Sequence, residues 1–334
     1  MTDDMNRRET LYVAGVDAGG TRTRAVLAPL AGGAPLGEGG GGPGNALTVP
    51  EPELAGHLAD ALAGAVPPEL RDRVVAVAGG FAGASRLAPD EPGQLRARAA
   101  LTAALHRLGI TGAVVEIYSD GEAALASAPG GPADGIALIA GTGAVAVRIT
   151  DRVCAATAGG DGWLLGDDGA GFWLGREAVR AALRMADGRG GRTALAGMAG
   201  HAFGLPRDVL PPSPHDPADW PRERRESYRM RLLPAVMDRH PVRLAELAPL
   251  VAGAAEEGDA VASEILAAAA GHLVDLVRAL DPRAGERIVA TGGLLGPEGP
   301  LAAPLVARLR PLGLAPDLVT DGCRGAVTLA RLAV

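Results

Sequence analysis

Short apolar runs bounded by glycines recur along this chain, and they set out its elements. In GIALIAGTGAVAVRI, residues 135–149, the apolar run 136–140 meets Gly141, Thr142 and Gly143, and a second apolar run follows. Runs of this length beside glycines predict two buried strands joined by a tight turn. Residues 11–30, LYVAGVDAGGTRTRAVLAPL, repeat the device, with strands predicted over 11–16 and 22–28 around a turn over 17–21. Further strands are predicted over 73–78, 114–118, 287–290 and 318–319. Helical spacing marks 51–66, 91–108, 122–127, 175–187, 222–239, 242–257, 259–280, a segment from 299, and 324–332. Over 259–280 it puts Ile265, Leu266, Leu273, Leu276, Val277 and Leu280 on one face. Residues 31–45 and 158–179 read as glycine-rich loops, and 204–221, with six prolines, as an exposed excursion. The class is α/β.

Composition narrows the chemistry. At 334 residues, two domains or one bilobed domain are expected. Apolar residues make up 48% and aromatics only 3%, so the core is built of Ala, Leu and Val. The chain has no Lys. This excludes a Walker A loop, a protein-kinase β3 lysine and a pyridoxal Schiff base. A net charge of −7 with no basic run argues against nucleic acid as partner. The first ten residues, MTDDMNRRET, are polar and lead into a strand, unlike a signal peptide. No apolar run reaches membrane-spanning length, residues 267–270 being assigned to a shorter amphipathic helix. A cytoplasmic protein without a membrane partner is expected. Two cysteines, Cys154 and Cys323, allow neither a disulfide framework nor a four-thiolate zinc site.

The glycine turns carry the candidate chemistry. Gly141 and Gly143 free the backbone for close approach to a ligand, and successive N–H groups there form an anion cradle beside the Thr142 hydroxyl. An ordinary hairpin explains one such turn. The first turn adds a carboxylate, Asp17, and the hydroxyls of Thr21 and Thr23. That set suits phosphate with a divalent cation, Asp17 meeting Mg²⁺ through water; taken singly, Asp17 reads as a turn cap. Asp120 reads both as a helix N-cap and as a carboxylate at the carboxyl end of a strand, where open α/β sheets bind ligands. The 158–179 loop is costly to order, and its Asp167 and Asp168 suit a sugar hydroxyl, a metal or an Asp-rich turn.

Five motifs, GVDAGGTRTR, YSDGEAALASA, AGTGAVAV, GGDGWLLGDDGAGFWLGREAV and IVATGGL, occur in this order. Their order resembles that of the actin-like ATPase superfamily, and in detail the N-acetylglucosamine kinase branch of the BadF/BadG/BcrA/BcrD ATPase family. The resemblance implies two ribonuclease-H-like lobes around a central ATP and sugar cleft. The first lobe would take residues 1–118 with the helix 323–334, the second 119–322. It implies that Gly19, Gly20, Thr21 and Thr23 hold phosphate, with Asp17 positioning Mg²⁺. Gly141, Thr142 and Gly143 would hold the β- and γ-phosphates of ATP, and Gly292 and Gly293 the adenosine. Asn45, Gly79, Asp120, Gly160, Asp161 and Asp167 would surround the sugar, with Asp120 the general base for the 6-hydroxyl of an amino sugar.

Three residues depart from that pattern: Asp161 where Trp is usual, Ala144 where Ser is, and Ala78 where Ser is common. A carboxylate at 161 facing the sugar 2-position would favour the ammonium of glucosamine over an acetamide; pointing to solvent, it would leave the acetamide preference intact. Two other readings stay open on the same fold. One is an ATPase activator of a radical dehydratase, whose [4Fe–4S] cluster needs thiolates at a homodimer interface; the cysteines here read as core residues. The other is a non-catalytic sugar sensor.

Overall fold

The computed structural model describes residues 10–86, 90–213 and 219–334. The polar N-terminal segment expected over 1–10 and the middle of the proline-rich excursion therefore lie largely outside the described residues. In chain order come β1 (Tyr12–Ala18), β2 (Thr23–Pro29), β3 (Gly37–Gly41), α1 (Glu51–Ala65), β4 (Val74–Phe81), α2 (Pro92–Arg107), β5 (Val114–Ser119) and α3 (Asp120–Ala126). The second half begins with β6 (Gly135–Ala140), β7 (Ala144–Thr150), β8 (Val153–Gly159), α4 (Gly162–Leu165), α5 (Gly171–Ala186), α6 (Leu195–Ala202) and α7 (Arg222–Met237). It ends with α8 (Ala248–Glu256), α9 (Ala260–Arg278), β9 (Ile288–Thr291), α10 (Ala302–Leu309), β10 (Pro316–Leu318) and α11 (Cys323–Arg331).

The strands form two five-stranded sheets, ordered β3-β2-β1-β4-β5 and β10-β9-β6-β7-β8. In the first, β1, β2 and β3 pair antiparallel, and β4 and β5 join parallel on the other side of β1. The second repeats this, with β6, β7 and β8 antiparallel and β9 and β10 parallel beyond β6. The sheets are therefore topological copies, and this is the two-lobed α/β ATPase fold that the motif order implied.

On the first sheet, α1 and α2 bury one face, with Leu58, Leu62 and Leu101 fully buried, each worth about 2 kcal/mol. The other face carries α11, whose Cys323, Val327 and Ala330 pack on Val13, Val26 and Ala76. Gly15 permits this contact, since a β-carbon there would lie 2.5 Å from the Cys323 carbonyl oxygen. On the second sheet, α5, α8, α9 and α10 bury one face, while Ala124 and Leu125 of α3 pack with Ala137, Val147 and Val289 on the other. Helices α3 and α11 touch each other, the Gly325 N–H donating to Ser127 Oγ at 2.8 Å. They form the layer between the sheets.

Several elements differ from the sequence expectation. The 31–45 connection contains a strand, β3, made almost wholly of glycine; β-carbons at Gly37, Gly39 and Gly41 would strike the carbonyl oxygens of Ala65, Ala61 and His57, so α1 lies flush on that edge. Strand β8 and helix α6 have no expected counterpart. Helix α5 starts at Gly171, inside the stretch read as a loop. The 242–257 segment breaks into a 3₁₀ turn, Pro241–Leu247, and α8, because Pro249 has no N–H and belongs in a helix's first turn. Helix α9 has 19 residues and is long and apolar enough to cross a membrane, contrary to the expectation that no apolar run reaches that length. Its Ala269, Ala270, Leu273, Val274 and Val277 are buried in the second core, as befits a core helix.

Candidate active site

Three parallel strands of the first sheet end together. Asp17 on β1 is in register with Gly80 on β4, and Phe81 with Ser119 on β5. Gly80 has no room for a side chain, its β-carbon position falling 2.4 Å from the Ala123 Cβ. Gly79 is buried one residue back, level with Val16 and Ile117. Ser119, not Asp120, caps α3: its Oγ accepts from the Glu122 N–H at 3.2 Å, and Glu122 Oε2 accepts from the Ser119 N–H at 2.9 Å. Asp120 is the first helical residue, its Oδ1 accepting from the adjacent Gly121 N–H at 2.9 Å. The capping role weighed for Asp120 belongs to its neighbour.

The β1–β2 turn is closed by the Gly19 N–H donating to the Arg22 carbonyl at 3.0 Å. Gly20 and Thr21 are exposed. Thr23 is buried at the start of β2, its Oγ1 against Gly44 and without a hydrogen-bond partner, so the fold separates the two threonines. Asn45 turns its Oδ1 to the N–H groups of Leu47 and Thr48, at 2.9 and 3.1 Å.

On the second sheet, Gly141, Thr142 and Gly143 link β6 to β7. The first amides of α5 brace them: the Gly171 N–H donates to the Gly141 carbonyl at 2.8 Å and the Phe172 N–H to the Thr142 carbonyl at 3.1 Å. Gly292, with φ +100°, abuts the end of β6, and the nearby Leu294 N–H donates to the Ala140 carbonyl at 3.2 Å. Gly293 is exposed. The Gly160 N–H donates to the Ala144 carbonyl at 2.9 Å. Asp167 lies on this same turn, accepting from the Ala144 N–H at 3.0 Å in a left-handed conformation, φ +58°; strained backbone of this kind concentrates at working sites. Asp161 is exposed, with its Cβ 3.0 Å from where a Gly166 β-carbon would sit. Asp168 is exposed and pairs with Arg176 at 3.6 Å.

Burial raises all three carboxylates that matter here. Asp17 is pushed up to about 6, chiefly by desolvation, against the opposing Gly322 N–H. Asp120 is pushed up to about 7, by desolvation and then by the charge of Asp17. Asp167 is raised by burial and by Asp161 and Asp168.

Among the described residues no three His, Cys, Asp or Glu side chains cluster as a metal cage. Asp17 nonetheless fits Mg²⁺, which keeps several waters and takes one or two carboxylates alongside substrate phosphates. Its carboxylate is hard, oxygen-only and partly desolvated, and a cation would offset its burial. Sequence reasoning did not single out Glu122, Asp321, Gly322 or Trp163. The S-x-x-E capping pattern at Ser119 was a usable signal for Glu122. Trp163, two residues past Asp161, sets its ring edge-on to Phe172 at 5.9 Å; no local pattern marks it.

Residues 14–306 match the profile of the BadF/BadG/BcrA/BcrD ATPase family. The N-acetyl-D-glucosamine kinase of Dictyostelium discoideum is 28% identical over 193 residues, 56% of this chain and 54% of that protein. The N-acetylmuramic acid/N-acetylglucosamine kinase of Clostridium acetobutylicum is 37% identical over 95 residues, 28% of this chain and 30% of that one. The chain thus matches about half or less of the length of these curated relatives. A solved structure from Chromobacterium violaceum, provisionally named an N-acetylglucosamine kinase, has a TM-score of 0.66 at 25% identity, over 96% of this chain and 99% of that one. A ROK family glucokinase from Streptomyces griseus, solved with glucose and AMPPNP, shares the fold at 18% identity and a TM-score of 0.52, over 96% and 99% of the two chains.

Proposed function

Because the chain belongs to the BadF/BadG/BcrA/BcrD ATPase family, we propose that it is an amino-sugar kinase that transfers the γ-phosphoryl of ATP to the 6-hydroxyl of N-acetylglucosamine. The observation that carries this reading is Asp120, a carboxylate free of capping duty at the end of a parallel strand, titrating at about 7. Such a group is partly ionised near neutral pH and still basic enough to take a proton, which is what a general base needs. The sugar O–H donates its proton to Asp120, the oxygen attacks the γ-phosphorus, and the bond to the bridging oxygen breaks to release ADP.

Phosphoryl transfer draws mainly on positioning and charge stabilisation. In this reading the amides of Gly19, Gly20 and Thr21, and those of Gly141, Thr142 and Gly143, hold phosphate oxygens. Thr142 adds its hydroxyl, and Gly292 and Gly293 lie against the adenosine. Asn45, Gly160, Asp161 and Asp167 line the sugar. Mg²⁺, when bound, neutralises phosphate charge, and Asp17 is the residue that holds it, through water. The described residues within 1–118, with 323–334, form one lobe and those within 119–322 the other, and their closure excludes water from the transfer.

Glucosamine is the second reading, because position 161 carries a carboxylate; the exposure of Asp161 and its turn toward Gly166 favour the acetamide instead. The radical-dehydratase activator has less support: Cys154 and Cys323 are 6% and 1% exposed and lie on different elements, β8 and α11. A coupled ADP-release panel with N-acetylglucosamine, glucosamine, N-acetylmannosamine, glucose and no sugar tests the reading. Sugar-dependent release, greatest with N-acetylglucosamine, is expected. Release that ignores every sugar overturns it.

A further inference from the structure

Glu122 is only 3% exposed, and burying a carboxylate is costly unless both oxygens are satisfied. They are. Oε2 accepts from the Ser119 N–H at 2.9 Å, and Oε1 accepts from the Cys154 N–H at 2.9 Å. The first bond completes the capping box at the start of α3, the turn that carries Asp120. The second has no part in capping. It crosses to β8, on the other sheet, beside the place where the β7–β8 register shifts between Arg148 and Ile149. Strand β7 is the one that leaves the Gly141–Gly143 turn, and Gly121 of α3 lies against it, a β-carbon there falling 3.0 Å from Val147 Cγ2.

We propose that Glu122 is a positioning residue that ties Asp120 to the second sheet, holding the base at a fixed place relative to the phosphate turn. This rests on the kinase reading above. A helix cap alone would use one oxygen and could be replaced by Gln, whose single amide oxygen still meets the Ser119 N–H. A bridge cannot: Gln would turn its NH₂ toward one of two N–H donors, and one contact is lost. Asp is too short to reach both. Displacing a reacting group by a fraction of an ångström lowers turnover without removing the contacts that bind ATP or sugar.

The test compares the parent, Glu122→Gln and Glu122→Asp for kcat, for the KM values of ATP and sugar, and for ATP hydrolysed per sugar phosphorylated. We expect kcat to fall about 10–100-fold, both KM values to stay within about threefold, and uncoupled hydrolysis to rise as water competes with a misplaced sugar hydroxyl. If the Glu122 variants do not fold, Cys154→Pro deletes the second N–H while sparing the capping box, on an edge strand where Pro is tolerated, and the same pattern is expected. Unchanged kcat in a folded Glu122→Gln overturns the proposal, and so does a rise in KM that matches the fall in kcat. A parent protein whose ADP release ignores every sugar overturns the kinase reading as well, so the two failures are told apart by the parent alone.

Discussion

The backbone N–H of Gly322 donates to Asp17 Oδ2 over 3.2 Å, joining residues 305 positions apart. Asp321 braces the contact: it pairs with Arg24 of β2 at 3.1 Å and accepts from the Cys323 N–H at 3.0 Å. The start of α11 is thus pinned to the strand that carries Asp17, and the fit at Gly322 is tight, its β-carbon position lying 3.2 Å from Asp17 Oδ1 and 3.3 Å from Ala123 Cβ. Gly322→Val is expected to displace α11 and weaken ATP binding in Mg²⁺ at least about tenfold, by analogy with other core overpacking. Calorimetric titration of ATP with and without EDTA checks this, an unchanged affinity in Mg²⁺ being the adverse result.

Asp120→Asn should lower kcat by roughly 10²–10⁴ while sugar affinity is kept. In the parent, kcat/KM should rise with pH through about 7, because Asp120 must be ionised to accept a proton. A pH–rate profile flat between 5.5 and 8, on the order of one unit either side of that value, would speak against the assignment.

Asp17 binds its proton more tightly in the folded protein than in the unfolded chain. Its favourable contribution is complete below pH 3.8 and is lost as pH rises through about 6. Free of Mg²⁺ and nucleotide, Asp17→Asn should therefore melt higher than the parent at pH 8 and no higher at pH 4. The gain should be on the order of 1–2 kcal/mol, after allowance for partial solvent contact. Calorimetric scans at both pH values decide it; an equal gain at both would mean that charge burial is not the cause.

Thr142→Phe should abolish nucleotide binding and leave the far-UV spectrum unchanged, since Thr142 is in a turn whose backbone is already bonded to α5. Gly143→Ala should do part of the same damage, because its new β-carbon would lie 2.6 Å from Asp167 Oδ1. If both variants titrate ATP like the parent, the turn does not hold phosphate.

Asp161→Trp addresses the choice of sugar. With Asp161 exposed and turned toward Gly166, the ratio of kcat/KM for N-acetylglucosamine over glucosamine should move less than about threefold, the scale of a solvent-screened pair. A glucosamine preference in the parent that vanishes in the variant would establish an ion pair at the sugar instead.

What the sequence determined by itself is what local patterns encode. Apolar runs ending in glycine marked β1, β4, β6 and β9, and motif order implied the duplicated lobes, because a buried strand and its turn leave their signature within about ten residues. Asp17, Asp120, Gly141 and Gly292 were legible as candidates for the same reason: each closes a strand. Only the tertiary structure decided which contacts those residues keep. Strand β3 has no apolar signature, since the close approach of α1 admits nothing but glycine at 37, 39 and 41. The Gly322 amide on Asp17 and the Cys154 amide on Glu122 join segments 305 and 32 positions apart. A hydrogen bond between backbone and carboxylate at such separation leaves no periodicity in the chain, and it exists only once α3 and α11 have packed between the sheets.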